Sequence, residues 1–336
     1  MKTLLHNIPL KSASLPLFTE VASPPGLPRV EWIERRSPLL HVGPMAGEDN
    51  VLSLNIAVGC AQRCIFCSAR AHVGYAGDEV VQLYRDSAEK LAAELRTRRQ
   101  LPRAVYVSPA TDPFMPLAEV QQETARIVEV LADHGVEAWL MTRGLIRPSV
   151  LDVLERHRQR VKVIVGLTTL NRELQRTLEP LAAPPRLRLR QIARLQEMGV
   201  RVQVETAPLI PGLTDQRANL SALLDGLASV NVRHITAGYM FLRPAIRDNM
   251  LPALTEQGWH EQVLAEFADG PLLASDGIGA ARYLPKARRQ RSYATLMALA
   301  VKHGISVKVC GLTNPDFGGL PLKATGGERP HLLPLW

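Results

Sequence analysis

One phrase recurs along this chain: a helix-like stretch ends, a glycine follows, and a short apolar run begins. It reads His134-Gly135-Val136, Met198-Gly199-Val200 and His303-Gly304-Ile305. Glycine just past a helix supplies the left-handed residue that closes its last turn, so each phrase predicts a helix handing over to a strand. Short runs rich in Val, Ile and Leu lie at 52–58, 104–107, 137–142, 161–167, 200–206 and 234–242, as buried parallel strands should. Segments with helical periodicity stand at 87–98, 118–133, 149–158, 186–198 and 216–228. Alternation of this kind argues for successive βα units and a parallel sheet. Six such units predict an α/β fold, a partial (β/α)6 TIM-like barrel, the alternative being closure to eight strands, for which 305–311 is a further strand candidate.

Residues 1–50 carry Pro9, Pro16, Pro24, Pro25, Pro28, Pro38 and Pro44 without clear periodicity, which predicts an extended N-terminal arm. Residues 51–243 are the expected barrel core, and 244–336 a C-terminal extension covering its open side or base. A helix in that extension is expected to start near Pro285.

With 336 residues, 46% apolar and 21% charged, the chain has room for such a core. No apolar stretch approaches a membrane span, and the first twenty residues lack a charged-then-apolar signal pattern. Four cysteines without paired spacing do not make a disulfide framework. A cytoplasmic protein without membrane association is expected. The net charge of +8 permits a nucleic-acid partner without demanding one. Arg186, Arg190 and Arg194 would share one helical face, and Lys286, Arg288, Arg289 and Arg291 form a second basic segment. Such runs are either solvated faces or phosphate contacts.

Three of the four cysteines are spaced as Cys60-x3-Cys64-x2-Cys67. A [4Fe–4S] cube normally takes four protein thiolates, so three would leave one iron open, and an open position marks a reactive metal site. The competing reading is a structural zinc with Cys310 or a histidine as fourth ligand, in a nucleic-acid-binding protein that is not an enzyme. Zinc ligands, however, usually come as two separated pairs. In βα barrels chemistry gathers at the carboxyl ends of the strands. Cys60 follows the first predicted strand, and the later strands run out into Thr111-Asp112, Thr142-Arg143, Thr168-Thr169 and Pro208 to Asp215.

The cysteine spacing, with Phe66 just before the last cysteine, resembles the cluster loop of the radical S-adenosylmethionine (SAM) enzymes, whose core is also a partial barrel. The segments Thr111-Asp112-Pro-Phe-Met-Pro116, Thr168-Thr169-Leu170, Leu178-Glu179-Pro180 and Ala207-Pro-Leu-Ile-Pro-Gly-Leu-Thr-Asp215 resemble, in order, the spore photoproduct lyase-like branch. The resemblance covers roughly residues 50–245. It implies that Cys60, Cys64 and Cys67 hold a [4Fe–4S] cluster and that SAM binds the open iron. Reductive cleavage of SAM would then give a 5′-deoxyadenosyl radical that abstracts hydrogen from a substrate of unknown class, a nucleic acid among the candidates. It implies an electron donor such as flavodoxin or ferredoxin. Phe66 would lie among the cofactor contacts, and Thr111 and Asp112 beside the methionyl end of SAM. Arg143 would meet its carboxylate, Thr168 and Thr169 its ribose, and Pro208, Gly212 and Tyr239 would wall its adenine.

The chain departs from that branch where the DNA-repair enzyme carries its hydrogen-relaying tyrosines and cysteine. Phe66, Ser68 and Pro109 occupy those positions here, and neither phenylalanine nor proline can relay a hydrogen atom. Thymine-dimer repair is therefore not expected. Cys310, at the end of a predicted strand, is the remaining thiol and a candidate hydrogen donor, the alternative being a buried core cysteine.

Overall fold

The computed structural model describes residues 26–43, 49–71, 74–75, 77–275 and 279–317. Most of the prolines of the predicted arm, and the end of the C-terminal extension, lie outside the described residues. The strands are β1 (Arg29–Ile33), β2 (Val51–Leu54), β3 (Ala57–Val58), β4 (Val80–Tyr84), β5 (Ala104–Val107) and β6 (Glu137–Thr142). They continue as β7 (Val161–Gly166), β8 (Arg201–Leu209), β9 (His234–Tyr239), β10 (Leu272–Ser275), β11 (Gly279–Arg282) and β12 (Ser306–Val309). The helices are α1 (Ser87–Thr97), α2 (Ala118–Asp133), α3 (Pro148–Arg156), α4 (Arg172–Leu178) and α5 (Pro185–Glu197). After them come α6 (Arg217–Ser229), α7 (Pro244–Glu256), α8 (His260–Ala265) and α9 (Lys286–Val301).

Seven strands form one sheet in the order β12-β9-β8-β7-β6-β5-β2, and every neighbouring pair is parallel. Six of them follow chain order, as the βα pattern predicts, and β12 adds a seventh beyond β9. The sheet ends at β2 and β12 without closing, a partial TIM-like barrel. Gly135, Gly199 and Gly304, the glycines of the recurring phrase, have φ of +72°, +75° and +65°. Each is the left-handed residue at which its helix stops.

The first predicted strand is not continuous. Its run breaks at Asn55, whose side-chain oxygen accepts a hydrogen bond from Ala110 N–H at 3.1 Å. Val51–Leu54 pairs with β5, while Ala57–Val58 turns away to pair antiparallel with β4. Together with β1, which pairs parallel to β4, these make a separate sheet of order β1-β4-β3. The stretch read as an extended arm thus supplies a strand.

Alternation along the strands divides the barrel's two faces. Val105, Val107, Leu140, Val163 and Val165 point outward into the main core beneath the helices. Tyr106, Trp139 and Ile164 point inward, where they form a smaller cluster with Met141 packed against it. A fully buried side chain of this size contributes about 1.5–3 kcal/mol, so the outer layer carries the fold and leaves the inner face free to hold polar groups.

Candidate active site

The cysteine loop leaves β3 through Gly59, at φ +88°, where a Cβ would come within 2.9 Å of the Val80 carbonyl oxygen. Only glycine meets both constraints. The loop is then pinned through its non-cysteine residues. Gln62 O accepts from Leu181 N–H at 3.2 Å, and Ile65 N–H donates to Leu178 O at 3.0 Å. Arg63 reaches Gly26 O and Asp78 O, and Asn249 donates to Ile65 O at 2.5 Å. The three thiols form no disulfide. Burial pushes the Cys60 and Cys64 thiols well above their usual range, with Asp112 adding to the effect at Cys60 and Glu179 at Cys64. Among the described residues no three His, Cys, Asp or Glu side chains converge as the ligands of a single ion do. In a cube, by contrast, each thiolate takes its own iron.

Asp112 lies at the centre of the loops. Its Oδ1 accepts from Phe114 N–H at 2.8 Å and from the Thr142 hydroxyl at 2.7 Å. Its Oδ2 accepts from Gln62 Nε2 at 2.8 Å and from Arg143 N–H at 2.7 Å. Burial raises its pKa, and those hydrogen bonds only partly offset the rise. A carboxylate has about four lone-pair sites, and all of them are spent tying the cysteine loop to the ends of β5 and β6. The acid expected beside the methionyl end of SAM is thus hydrogen-bonded to the protein through both oxygens.

Arg143 stands beside the same loop. Its Nε donates to Glu179 Oε1 at 2.9 Å, another nitrogen reaches Ala207 O, and its guanidinium lies 5.5 Å from the Phe66 ring centre. Glu179 also binds Arg188, and both of those side chains are at most 2% exposed. Burial alone would lower the Arg143 pKa, but Glu179, then Cys64 and Glu205, outweigh it. Burial likewise opposes ionisation of Glu179, yet Arg188 and Arg143 hold its pKa below the ordinary value. An ionised Arg–Glu–Arg group therefore backs the cysteine loop.

The remaining predicted residues divide. Thr111 sits at the mouth with its hydroxyl buried and unpartnered. Thr168 and Thr169 are buried and tied to α6, since Thr169 donates to Asn219 Oδ1 at 2.5 Å and Asn219 donates to Thr168 O at 3.0 Å. The Pro208–Gly212 loop is held by Asp215, which accepts from Gly212 N–H at 2.7 Å, from the Tyr239 hydroxyl at 2.8 Å and from Arg288 at 2.8 Å. Tyr239 is thereby a buried brace for this loop, 1% exposed. The basic segment of α9 is not a free phosphate-binding face either. Arg289 is wholly buried against Asp316 and Asn314, and Arg288 is paired with Asp215 and Glu266. Arg186, Arg190 and Arg194 do lie exposed along α5.

Cys310 follows β12 and faces the inner side of the barrel. A Cβ on Gly238 would lie 3.3 Å from the Cys310 Cβ, and the Glu205 carboxylate acts on the thiol. Its backbone is clamped, with N–H on Ala237 O at 2.8 Å and carbonyl oxygen accepting from Asn314 at 2.8 Å. Sequence reasoning missed Gln62, Arg188 and Glu205. The first two have no pattern that exposes them. Glu205 did have one: the run 200–206 reads Val-Arg-Val-Gln-Val-Glu-Thr, a period of two that puts polar side chains on one face.

The radical SAM superfamily model matches residues 54–224, half of the chain. The chain belongs to the radical SAM superfamily. It is 26% identical over 197 residues to the uncharacterized protein ORF301 of Acidianus two-tailed virus, covering 54% of this chain and 65% of that protein. It is 23% identical over 255 residues to the radical SAM Nalpha-GlyT isomerase of Pseudomonas phage M6, covering 75% of this chain and 51% of that protein. The chain thus spans less than two thirds of either curated relative. Spore photoproduct lyase complexed with dinucleoside spore photoproduct shares its fold, with a TM-score of 0.66 at 12% identity over 83% of this chain and 81% of that one.

Membership brings a [4Fe–4S] cluster and SAM as cofactors, and the residues here fit them. The donor set is three thiols on one pinned loop. On the cysteine loop and at the end of β5, Gln62 Oε1, Ser108 Oγ and Thr111 Oγ1 are buried without a partner among the described residues. Buried polar atoms are nearly always satisfied, so a group of them at the strand ends suits a polar ligand. No helix among the described residues is long and apolar enough to cross a membrane.

Proposed function

We propose that this protein is a radical SAM enzyme in which Cys60, Cys64 and Cys67 each bind one iron of a [4Fe–4S] cluster. The observation that carries the reading is the cysteine loop itself: three thiols, a backbone tied down at Gln62, Arg63 and Ile65, and unpartnered buried oxygens on it and at the end of β5. Held by Cys60, Cys64 and Cys67, a reduced cluster would supply the one electron needed for reductive cleavage of SAM. The chain's own residues bind, orient and exclude water. Arg143 offers a cation beside Cys64 for the SAM carboxylate, Phe66 covers the loop, and Thr111 offers its hydroxyl. Asp112 acts as a positioning residue that holds Gln62 and the Arg143 backbone in register. Thr168, Thr169, Pro208 and Gly212 shape the wall through their backbone, with Tyr239 bracing it from behind. Cys310 is the thiol that could return a hydrogen atom to a substrate carbon radical. The electron donor is a flavodoxin or ferredoxin, and a reducing cytoplasm suits the free thiols.

A nucleic-acid substrate is supported by the net charge of +8 and by the dinucleoside that the structurally similar lyase binds. Phe66, Ser68 and Pro109 argue against thymine-dimer repair as the reaction.

The test is anaerobic. Iron- and sulfide-reconstituted protein is reduced, given SAM, and assayed for 5′-deoxyadenosine alongside Cys64→Ala. Product that requires Cys64 is expected. A protein that carries a full cluster and gives no product, with or without candidate substrates, would overturn the reading.

A further inference from the structure

Three acids lie in the interior around the site, and two of them are satisfied. Asp112 accepts four hydrogen bonds and Glu179 binds two guanidinium groups. Glu205 is the exception. It sits half-buried on β8, and among the described residues no hydrogen bond or ion pair from the protein engages its carboxylate. Only longer-range attraction from Arg143 and Lys162 acts on it. Its two neighbours, both buried, have their oxygens taken up by the protein, whereas the half-buried Glu205 carboxylate remains open to accept from a ligand.

The register says where Glu205 points. In the parallel sheet it is aligned with Gly166 of β7 and Thr236 of β9, and Thr236 is aligned with Lys308 of β12. Aligned residues share a face, so Glu205 projects inward. A Cβ on Gly166 would come within 3.0 Å of the Arg143 guanidinium carbon, which puts that cation over the next position in the same row. Toward the base the inner face is apolar, with Tyr106, Met141 and Ile164. The Tyr106 hydroxyl donates to Met141 Sδ at 3.1 Å, leaving its oxygen to accept. Gln203 Nε2 donates to Thr236 at 3.1 Å, leaving the Gln203 carbonyl to accept as well. Two residues beyond Lys308, Cys310 lies on the same inner face as Glu205 and Tyr106. That face is apolar toward the base and rich in acceptors above it.

We propose that Glu205 orients the substrate by accepting a hydrogen bond from a substrate N–H group, which sets the bound molecule over the Tyr106–Ile164 floor and beside Cys310. The substrate class is one that carries an N–H donor, either a neutral ring or amide N–H or an ammonium. This rests on the radical SAM reading for what happens next, but the binding event stands apart from it.

The experiment uses full-length, anaerobically reconstituted protein with SAM present. Binding of thymidine, N3-methylthymidine and phenylethylammonium is measured by ligand-observed NMR to wild type, Glu205→Gln and Glu205→Leu, with iron content and circular dichroism checking each fold. Wild type is expected to bind at least one of the two N–H probes at millimolar concentration. Glu205→Leu should weaken that binding about tenfold or more, the loss of a hydrogen bond to a charged acceptor. Glu205→Gln separates the two sources: a neutral N–H can still reach the amide carbonyl and is largely retained, whereas an ammonium is lost. The proposal is overturned if wild type binds neither N–H probe, if N3-methylthymidine binds as well as thymidine with no ammonium binding, or if Glu205→Leu leaves every affinity unchanged. Formation of 5′-deoxyadenosine by wild type in the same preparation reports separately on the radical SAM reading. Its absence alongside Glu205-dependent binding would strike that reading alone.

Discussion

Removing Glu179 should damage the fold and the cysteine loop together. Its carboxylate is 2% exposed and joins Arg188, 1% exposed, to Arg143, 14% exposed. Glu179→Ala leaves two enclosed guanidinium groups without their anion, and breaking a buried pair in this way costs about 3–5 kcal/mol. At this chain length about 2 °C of melting temperature goes with each kcal/mol, so the loss should be about 6–10 °C. The neighbouring backbone holds the loop, through Ile65 N–H on Leu178 O and Leu181 N–H on Gln62 O, so iron uptake should fall as well. The sign with pH is fixed by the lowered pKa of Glu179. Its contribution is present above the unfolded carboxylate value and is lost as pH falls through the folded one. The gap between wild type and variant should therefore close below about pH 4. The assay is urea denaturation of the apoprotein across pH, with Glu179→Leu/Arg188→Met as the paired variant. A loss under about 1 kcal/mol for Glu179→Ala, or a double variant worse than the two single losses added, would refute the reasoning.

Three further outcomes are expected. Burial raises the Glu205 pKa, so its contribution to stability is full below the unfolded value and lost as pH rises through the folded one. Glu205→Leu should thus melt higher than wild type at neutral pH and lose that advantage in acid, checked by thermal melts at several pH values. Asp112→Asn turns an acceptor of four hydrogen bonds into a group whose NH2 faces donors. It should cost about 2–4 kcal/mol by urea denaturation and lower iron stoichiometry. Gly144→Ala would put a Cβ 2.0 Å from the Phe114 carbonyl oxygen, a backbone clash. That overpacking should cost about 1–3 kcal/mol or more, read from the same denaturation curves.

The sequence alone carried the periodic and local features of the molecule. Strands β5 and β6 and helix α2 stand at the bounds that hydrophobic period predicts, and the three glycines end their helices where they should. The cysteine spacing was equally legible, since metal ligation by one loop is a matter of residues close in the chain. Less was visible where periodicity is short or masked by proline: β1, β4 and α4 escaped it, and the first strand's break at Asn55 depends on Ala110, far along the chain.

Charge was the least legible property. The sequence shows arginines and acids but not their partners, and partners are set by side chains that meet only once the barrel is built. So Arg289, part of a basic segment read as a solvated face or a phosphate contact, is buried on Asp316, and Asp112 ties two loops together through its hydrogen bonds. Glu205, an acid near the end of an apolar run, became a half-buried carboxylate of the inner face with no protein donor among the described residues. Composition, period and local spacing determined the βα architecture and the thiol triad because those depend on neighbours in sequence. Which charges are spent on the protein and which remain for a ligand was decided only by tertiary structure, because desolvation and hydrogen bonding depend on neighbours in space.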